Sequence, residues 1–282
     1  MVAFHRLAPI ASKKYNEVRL CEDRPGIIMR KPKIVSIVGV TASGKSALGI
    51  KLAQEFNGEI VSCDSRQIYV GLDIGSAKVT AEEQAMVPHH LLDVVQPGKT
   101  FNVFDFQKMA YAAIGDILSR GKVPFLVGGS GLYSRSIVDG YGFVEKDSVM
   151  GDEPLQVEGN SPRYDVLQIC LMPPREIIEP LMTKRTDERL AQGMIEETEK
   201  LIADGVSKEW LRSLGLDYFW NVELIDGKVD INEYKRCHKD KTMQFIKRQK
   251  TWFRKEKEGT IYLENPSEFL EESRKLVKEF LS

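Results

Sequence analysis

Cysteine is scarce and unpatterned in this chain. Cys21, Cys63, Cys170 and Cys237 stand far apart in 282 residues, with no C-x-x-C pair. Such spacing offers neither a disulfide framework nor a zinc site, and the cytoplasm is the expected compartment. Long apolar runs are missing as well. None approaches the roughly 18 to 20 residues of a membrane-spanning helix, so no membrane partner is expected. Residues 1–30 lack a signal-peptide apolar stretch and contain Glu17, Glu22 and Asp23, which speaks against a transit peptide. They read as a loosely ordered extension. An excess of one charge is the last absence: the formal net charge is −1, which argues against wholesale coating of a polyanion.

The apolar share of 42% is ample for a core, and the length suits one α/β domain with a smaller appended element, a monomer. Strands are predicted at residues 34–38, 59–62, 123–127 and 166–171, with helices at 45–56, 103–119 and 132–138. This rhythm predicts a P-loop NTPase-like parallel sheet with helices on both faces and a C-terminal helical, basic appendage. Residues 140–162 are rich in Gly, Pro and acids and read as a long loop or mobile connection. One or two amphipathic helices are expected over 175–203, a mixed stretch with a turn over 211–229, a basic helix through Phe253, a strand at 260–263 and a last helix at 266–281. The expected partition is an extension at 1–30, a core at 31–205 with a reduced insertion at 140–163, and a substrate-binding helical region at 206–282.

Residues 39–46 spell G-V-T-A-S-G-K-S, a complete G-x-x-x-x-G-K-[ST] loop between a predicted strand and a predicted helix. Gly39, Thr41, Ala42, Ser43, Gly44, Lys45 and Ser46 form the expected diphosphate cradle. Backbone N–H groups wrap the anion, Lys45 neutralises it and the Ser46 hydroxyl holds Mg²⁺. The strand at 123–127 runs into Gly128-Gly129-Ser130-Gly131 where an ATPase has an acid, which counts against nucleotide hydrolysis. Asp64, at the end of the preceding strand, reads equally as a general base, a magnesium-shell carboxylate or a helix cap. Ser130 offers a hydroxyl or an N-cap. His89 and His90 point to opposite faces of an extended segment and do not share a metal. Arg185 either reaches phosphate or is solvated. Between Tyr234 and Lys257 ten lysines and arginines face only Asp240 and Glu256, a local basic surface on a neutral protein.

Together these blocks resemble the tRNA dimethylallyltransferases: the loop at 39–46, D-S-R-Q-I-Y at 64–69, G-L-D-I-G-S-A-K at 71–78, V-P-H-H-L-L-D at 87–93, G-G-S-G-L-Y at 128–133, P-P-R-E at 173–176 and R-Q-K-T-W-F-R at 248–254. The resemblance spans about residues 34–255. It implies that the loop holds dimethylallyl diphosphate with Mg²⁺ and that Asp64 is the general base. It further implies that Arg185 binds diphosphate, that Ser130 stands where the family usually has Thr, and that Asp64, Ser65, Arg66 and Gln67 meet the adenine. The acceptor it implies is the tRNA anticodon stem-loop.

Two departures from the family pattern stand out. Only residues 140–163 occupy the interval where bacterial members carry a helical insertion that grips the stem-loop, and L-G-L-D-Y at 214–218 replaces the usual Ile-Gly-Tyr-Lys. Both are expected to fall on RNA-contacting parts, away from the transfer centre. Lys247, Arg248, Lys250 and Arg254 are then the main expected source of phosphate contacts. The alternatives are prenylation of free AMP, ADP or ATP, and a small-metabolite kinase.

Overall fold

The computed structural model describes residues 30–143, 157–255 and 259–282. Six strands form one parallel sheet in the order β3-β2-β4-β1-β7-β8: β1 Lys33–Gly39, β2 Gly58–Ser62, β3 His89–His90, β4 Val123–Val127, β7 Asp165–Leu171 and β8 Ile261–Leu263. A smaller antiparallel pair joins β5 Tyr141–Phe143 to β6 Val157–Asn160. The central strand β1 is buried on both faces, as its run of Ile and Val requires of a strand covered by helices above and below.

One face of the sheet packs against α1 Lys45–Glu55 and α10 Phe269–Leu281, with Leu52, Phe125, Ile169, Phe269 and Val277 in a shared cluster. The other face packs against α3 Val103–Ser119 and α4 Gly131–Arg135 through Phe106, Ile114, Leu126, Tyr133 and Ile137. Asn102 caps α3 by accepting from Phe104 and Asp105 N–H, an arrangement typically worth about 1 kcal/mol of helix stability. Within the C-terminal region, β8 and α10 therefore belong to the packing of the core sheet.

Helices α5 Arg175–Ala191, α6 Met194–Ala203, α7 Lys208–Ser213, α8 Leu216–Ile225 and α9 Ile231–Phe253 cover the carboxyl ends of the strands. Leu201, Leu211, Tyr218 and Val222 from this layer pack on Ile68, Tyr69 and Leu72 of the segment after β2. The Glu197 carboxylate accepts from three successive backbone N–H groups, Asp73, Ile74 and Gly75, and from the Tyr218 hydroxyl. Lys78 bridges Asp73 and Asp93 and donates to the Tyr69 carbonyl. The blocks at 71–78 and 87–93 thus fasten the helical layer and the sheet edge to one another.

Two expectations about the fold are corrected, and one element is added. The interval 140–162 is not loop at its ends, because β5 and β6 pair there; residues 144–156 lie outside the described residues. The helix expected at 132–138 stops at Arg135 and widens into a π-helical turn, Ser136–Gly140, where the Gln107 amide donates to the Ser136 and Tyr141 carbonyls. A short helix, α2 Ala81–Met86, went unpredicted although Thr80 and Glu83 spell its capping box.

Candidate active site

The carboxyl ends of β1, β2 and β4 open into a cavity of about 1030 Å³ lined by, among others, Lys45, Asp64, Ser130, Arg185, Asp217 and Gln249. This is where a parallel α/β sheet gathers ligands. The loop after β1 leads into α1 and places Lys45, the helix's first residue, in a half-buried position, with Nζ donating to the Val40 carbonyl at 2.7 Å. Burial pulls the Lys45 pKa down to about 8; the Asp64 charge pushes it up and Arg185 down. A cation held this short of its preferred hydration is set to gain from an anion.

Arg185 faces the same space from α5. Burial lowers its pKa, Arg189 adds to that, and Asp217 and Asp64 oppose it. Among the described residues it has no hydrogen bond or ion pair. Ser46 lines the cavity too, and its hydroxyl has no partner among the described residues. Thr41 does not behave as the motif alone predicts: its N–H donates to Gln249 Oε1 at 3.0 Å. The cradle open to an anion therefore comprises the N–H groups that follow it.

Asp64 Oδ1 accepts from the Arg66 N–H at 2.9 Å, a turn that fixes the carboxylate at the cavity wall. The Ser130 hydroxyl accepts from the Ser65 N–H at 2.9 Å and makes no cap bond to α4, so it ties the Asp64 loop to the glycine loop. Gln67 spends its amide inside the fold, on the Ala77 carbonyl and the Ser62 hydroxyl. Gly128 has a steric cause: a Cβ there would stand 2.0 Å from the Cys63 carbonyl oxygen. No acid could occupy that position in this packing.

His89 Nδ1 lies 2.7 Å from the Val87 carbonyl and His90 Nε2 lies 2.8 Å from Glu59, so the two rings serve different neighbours. Among the described residues no group of three or more His, Cys, Asp and Glu could hold a metal.

The basic helix α9 divides its residues. Arg248 lines the cavity mouth beside Phe245, and Lys247 and Arg254 are exposed. Lys250 instead donates to the Pro173 carbonyl at 2.6 Å, and burial lowers its pKa. It fastens α9 to the P-P-R-E block and does not stand with the other three.

The sequence reading missed the buried cluster of Arg189, Asp217 and His238. Asp217 Oδ1 lies 2.7 Å from Arg189 Nη2 and 2.8 Å from His238 Nε2. Burial pushes the Asp217 carboxyl up, but Arg189 and His238 outweigh it and hold the group well below the usual range. This corrects the expectation that the change at 214–218 lies away from the transfer centre, because Asp217 lines the cavity. The sequence reading also missed Phe219 and Trp220, and gave Trp252 no role beyond its place in the R-Q-K-T-W-F-R block; all three line the same cavity.

A family model described as IPP transferase matches residues 67–156 and 148–256, and one described as isopentenyl transferase matches residues 32–93. A tRNA dimethylallyltransferase from Exiguobacterium sp. is 37% identical over 282 aligned positions, covering 82% of this chain and 90% of the relative. One from Streptococcus suis is 34% identical over 293 positions, covering 89% and 99%. The chain belongs to the tRNA dimethylallyltransferase family. It is a prenyltransferase. The tRNA isopentenylpyrophosphate transferase of Bacillus halodurans superposes with a TM-score of 0.77 at 29% identity, covering 89% of this chain and 97% of that one. The Streptococcus suis alignment is longer than this whole 282-residue chain while using 89% of it, so the family member carries residues with no counterpart here.

Proposed function

We propose that the protein transfers the dimethylallyl group of dimethylallyl diphosphate to the exocyclic N6 of the adenine beside the anticodon of tRNA, acting as a cytoplasmic monomer on the anticodon stem-loop. The observation that carries this reading is one cavity that joins two cations with no ion-pair partner among the described residues, Lys45 and Arg185, to the carboxylate of Asp64, with a basic and aromatic stretch of α9 at its mouth.

Lys45, Arg185 and the N–H groups of Ala42, Ser43, Gly44, Lys45 and Ser46 hold the diphosphate. As the allylic C–O bond breaks, its electron pair leaves with the diphosphate, and the charge that develops there is met by cations already in place. Such preorganised donors contribute about 3 to 4 kcal/mol each. The adenine N6 forms the new C–N bond and gives its proton to Asp64, an effect on the order of 10² to 10⁴ in rate. Ser130 keeps its own proton free to donate to a bound oxygen.

Ser46 fits a magnesium ion, since Mg²⁺ binds through few protein oxygens and completes its shell with substrate phosphates and water. Its unpartnered hydroxyl, beside the cradle and in one cavity with Asp64, suits that mode. When bound, the ion supplies further charge stabilisation to the leaving diphosphate.

The acceptor adenine must leave its stack to enter the cavity, at a cost of a few kcal/mol. Phe219, Trp220, Phe245 and Trp252 offer faces for stacking. Lys247, Arg248 and Arg254 supply phosphate contacts. Incubation with labelled dimethylallyl diphosphate and either an anticodon stem-loop or AMP tests the proposal. Label is expected in the RNA alone, with affinity falling as salt rises. A variant with all three cations changed to alanine is expected to flatten the log–log salt slope by about 2, at about 0.7 per phosphate contact. Equal transfer to AMP, insensitive to those changes, overturns the choice of acceptor.

A further inference from the structure

Gln249 occupies a position on α9 that its buried stripe would fill with an apolar side chain. Tyr234, His238, Thr242, Ile246, Gln249 and Phe253 form that stripe, and Gln249 is only 7% exposed. A buried amide is costly unless both its polar ends are met. Here they are met by two different ligand loops. Oε1 accepts from the Thr41 N–H at 3.0 Å, and Nε2 donates to the Gly129 carbonyl at 3.1 Å. The fit is close, since a Cβ on residue 129 would lie 3.2 Å from Nε2.

The bridge spans 208 residues of sequence to Thr41 and 120 to Gly129, and it joins three parts of the site. Thr41 opens the cradle that ends at Lys45 and Ser46. Gly129 precedes Ser130, whose hydroxyl holds the Ser65 N–H beside Asp64. Residues close to Gln249 on α9 face the acceptor side: Arg248 and Trp252 line the cavity mouth. One turn further, Phe253 is buried with Val38, Cys170 and Met172, so α9 is anchored to the sheet just where the amide reaches across.

We infer that Gln249 is a positioning residue that sets the distance between the donor cradle and the Asp64–Ser130 loop and couples acceptor contacts on α9 to donor binding. The inference rests on the donor and acceptor assigned above. By taking the Thr41 N–H, the amide also fixes which backbone donors remain for the diphosphate. A shift of α9 when the acceptor docks is passed to both loops through one side chain.

Two near-isosteric variants test it. Gln249→Met keeps volume and removes both hydrogen bonds; Gln249→Glu keeps the acceptor for Thr41 but sets an oxygen against the Gly129 carbonyl. Donor affinity is measured by calorimetry with and without an anticodon stem-loop whose target base is a non-reacting purine, alongside kcat, KM for the stem-loop and thermal unfolding. The expected result is that wild type binds donor more tightly when the stem-loop is present, and that both variants lose this enhancement. Their kcat is expected to fall at least about tenfold, the scale of one buried group left without its partner, while KM for the stem-loop changes less than about threefold. Where Gln249→Met lowers the melting temperature, Gln249→Glu decides. Wild-type kcat and intact coupling in Gln249→Glu overturn the inference, as does a wild type with no coupling. A wild type that binds no donor at all overturns the proposed function, and this inference with it.

Discussion

The two ends of the sheet treat charge in opposite ways. At the amino end, the Glu59 carboxylate is 2% exposed and is saturated by Arg120, Lys122 and His90. Its pKa is pushed well below the usual range, chiefly by the Arg120 guanidinium, against the upward pull of burial. At the carboxyl end, a few residues away along the same strands, Lys45 meets a single carbonyl oxygen, Arg185 meets no partner among the described residues, and Asp64 meets one backbone N–H. The first arrangement is complete without a ligand. The second leaves charge to be satisfied by what binds, and perturbed ionisable groups in a cleft are where function is sought.

Removing the proposed proton acceptor should break the carboxyl end most severely. Asp64→Asn keeps the shape and the Arg66 N–H bond, and single-turnover transfer is expected to fall by about 10² or more with donor affinity and melting temperature unchanged. A fall under about tenfold would reduce Asp64 to a turn-former.

Lys45→Ala comes next. Donor affinity measured by calorimetry should drop by about 10- to 100-fold, the range expected when one charged hydrogen-bond donor to the diphosphate is deleted. Thermal stability should not fall, because the lysine charge is a buried cost to the free fold. The sign follows from its pKa, lowered from 10.5 to about 8. Between those values the unfolded chain holds more protons than the folded one, so stability rises with pH there. The destabilising charge is fully present below about pH 8 and relieved above it. A melting temperature that falls markedly in this variant would erase the contrast between the two ends.

Glu59→Gln is the mirror experiment. It should cost about 1 to 3 kcal/mol, less than for a wholly buried pair because the cationic partners are partly exposed and rehydrate. kcat should change little. Since the folded-state pKa lies below the unfolded value of about 4.3, the contribution of Glu59 is fully present above that value and lost as pH falls through the acid range. The gap in melting temperature between the variant and wild type should therefore close below about pH 4.

The smallest expected effect sharpens the comparison with no mutation. Donor affinity of the wild type should decline above about pH 8 by up to about tenfold per pH unit, as Lys45 loses its proton. A flat profile to about pH 9.5 would mean that Lys45 is not the cation on the diphosphate.

Much of this was legible in the chain. The Ile and Val run of β1, the loop at 39–46 and the run of 123–127 into glycines mark the sheet and its ligand end through local pattern alone. Other features were hidden because their signal is weak or distant. The two-residue strand β3 is too short for any periodicity, and the π-helical turn after α4 depends on Gln107, some 29 and 34 positions away from the carbonyls it holds. Asp217 was visible as a departure from the family spelling, yet only packing brought Arg189 and His238 to it.

By itself, then, the sequence determined the alternation of strands and helices, the G-x-x-x-x-G-K-S loop, the acid at residue 64 and the family resemblance, since each is written in short blocks of neighbouring residues. The tertiary structure decided which polar groups face which. It turned Lys250 to Pro173 while leaving Lys247 and Arg254 in solvent, closed position 128 to any side chain by the approach of the Cys63 carbonyl, and set Gln249 between Thr41 and Gly129. The physical reason is that a hydrogen bond depends on distances of a few tenths of an ångström between groups far apart in the chain, and only the packed fold sets those distances.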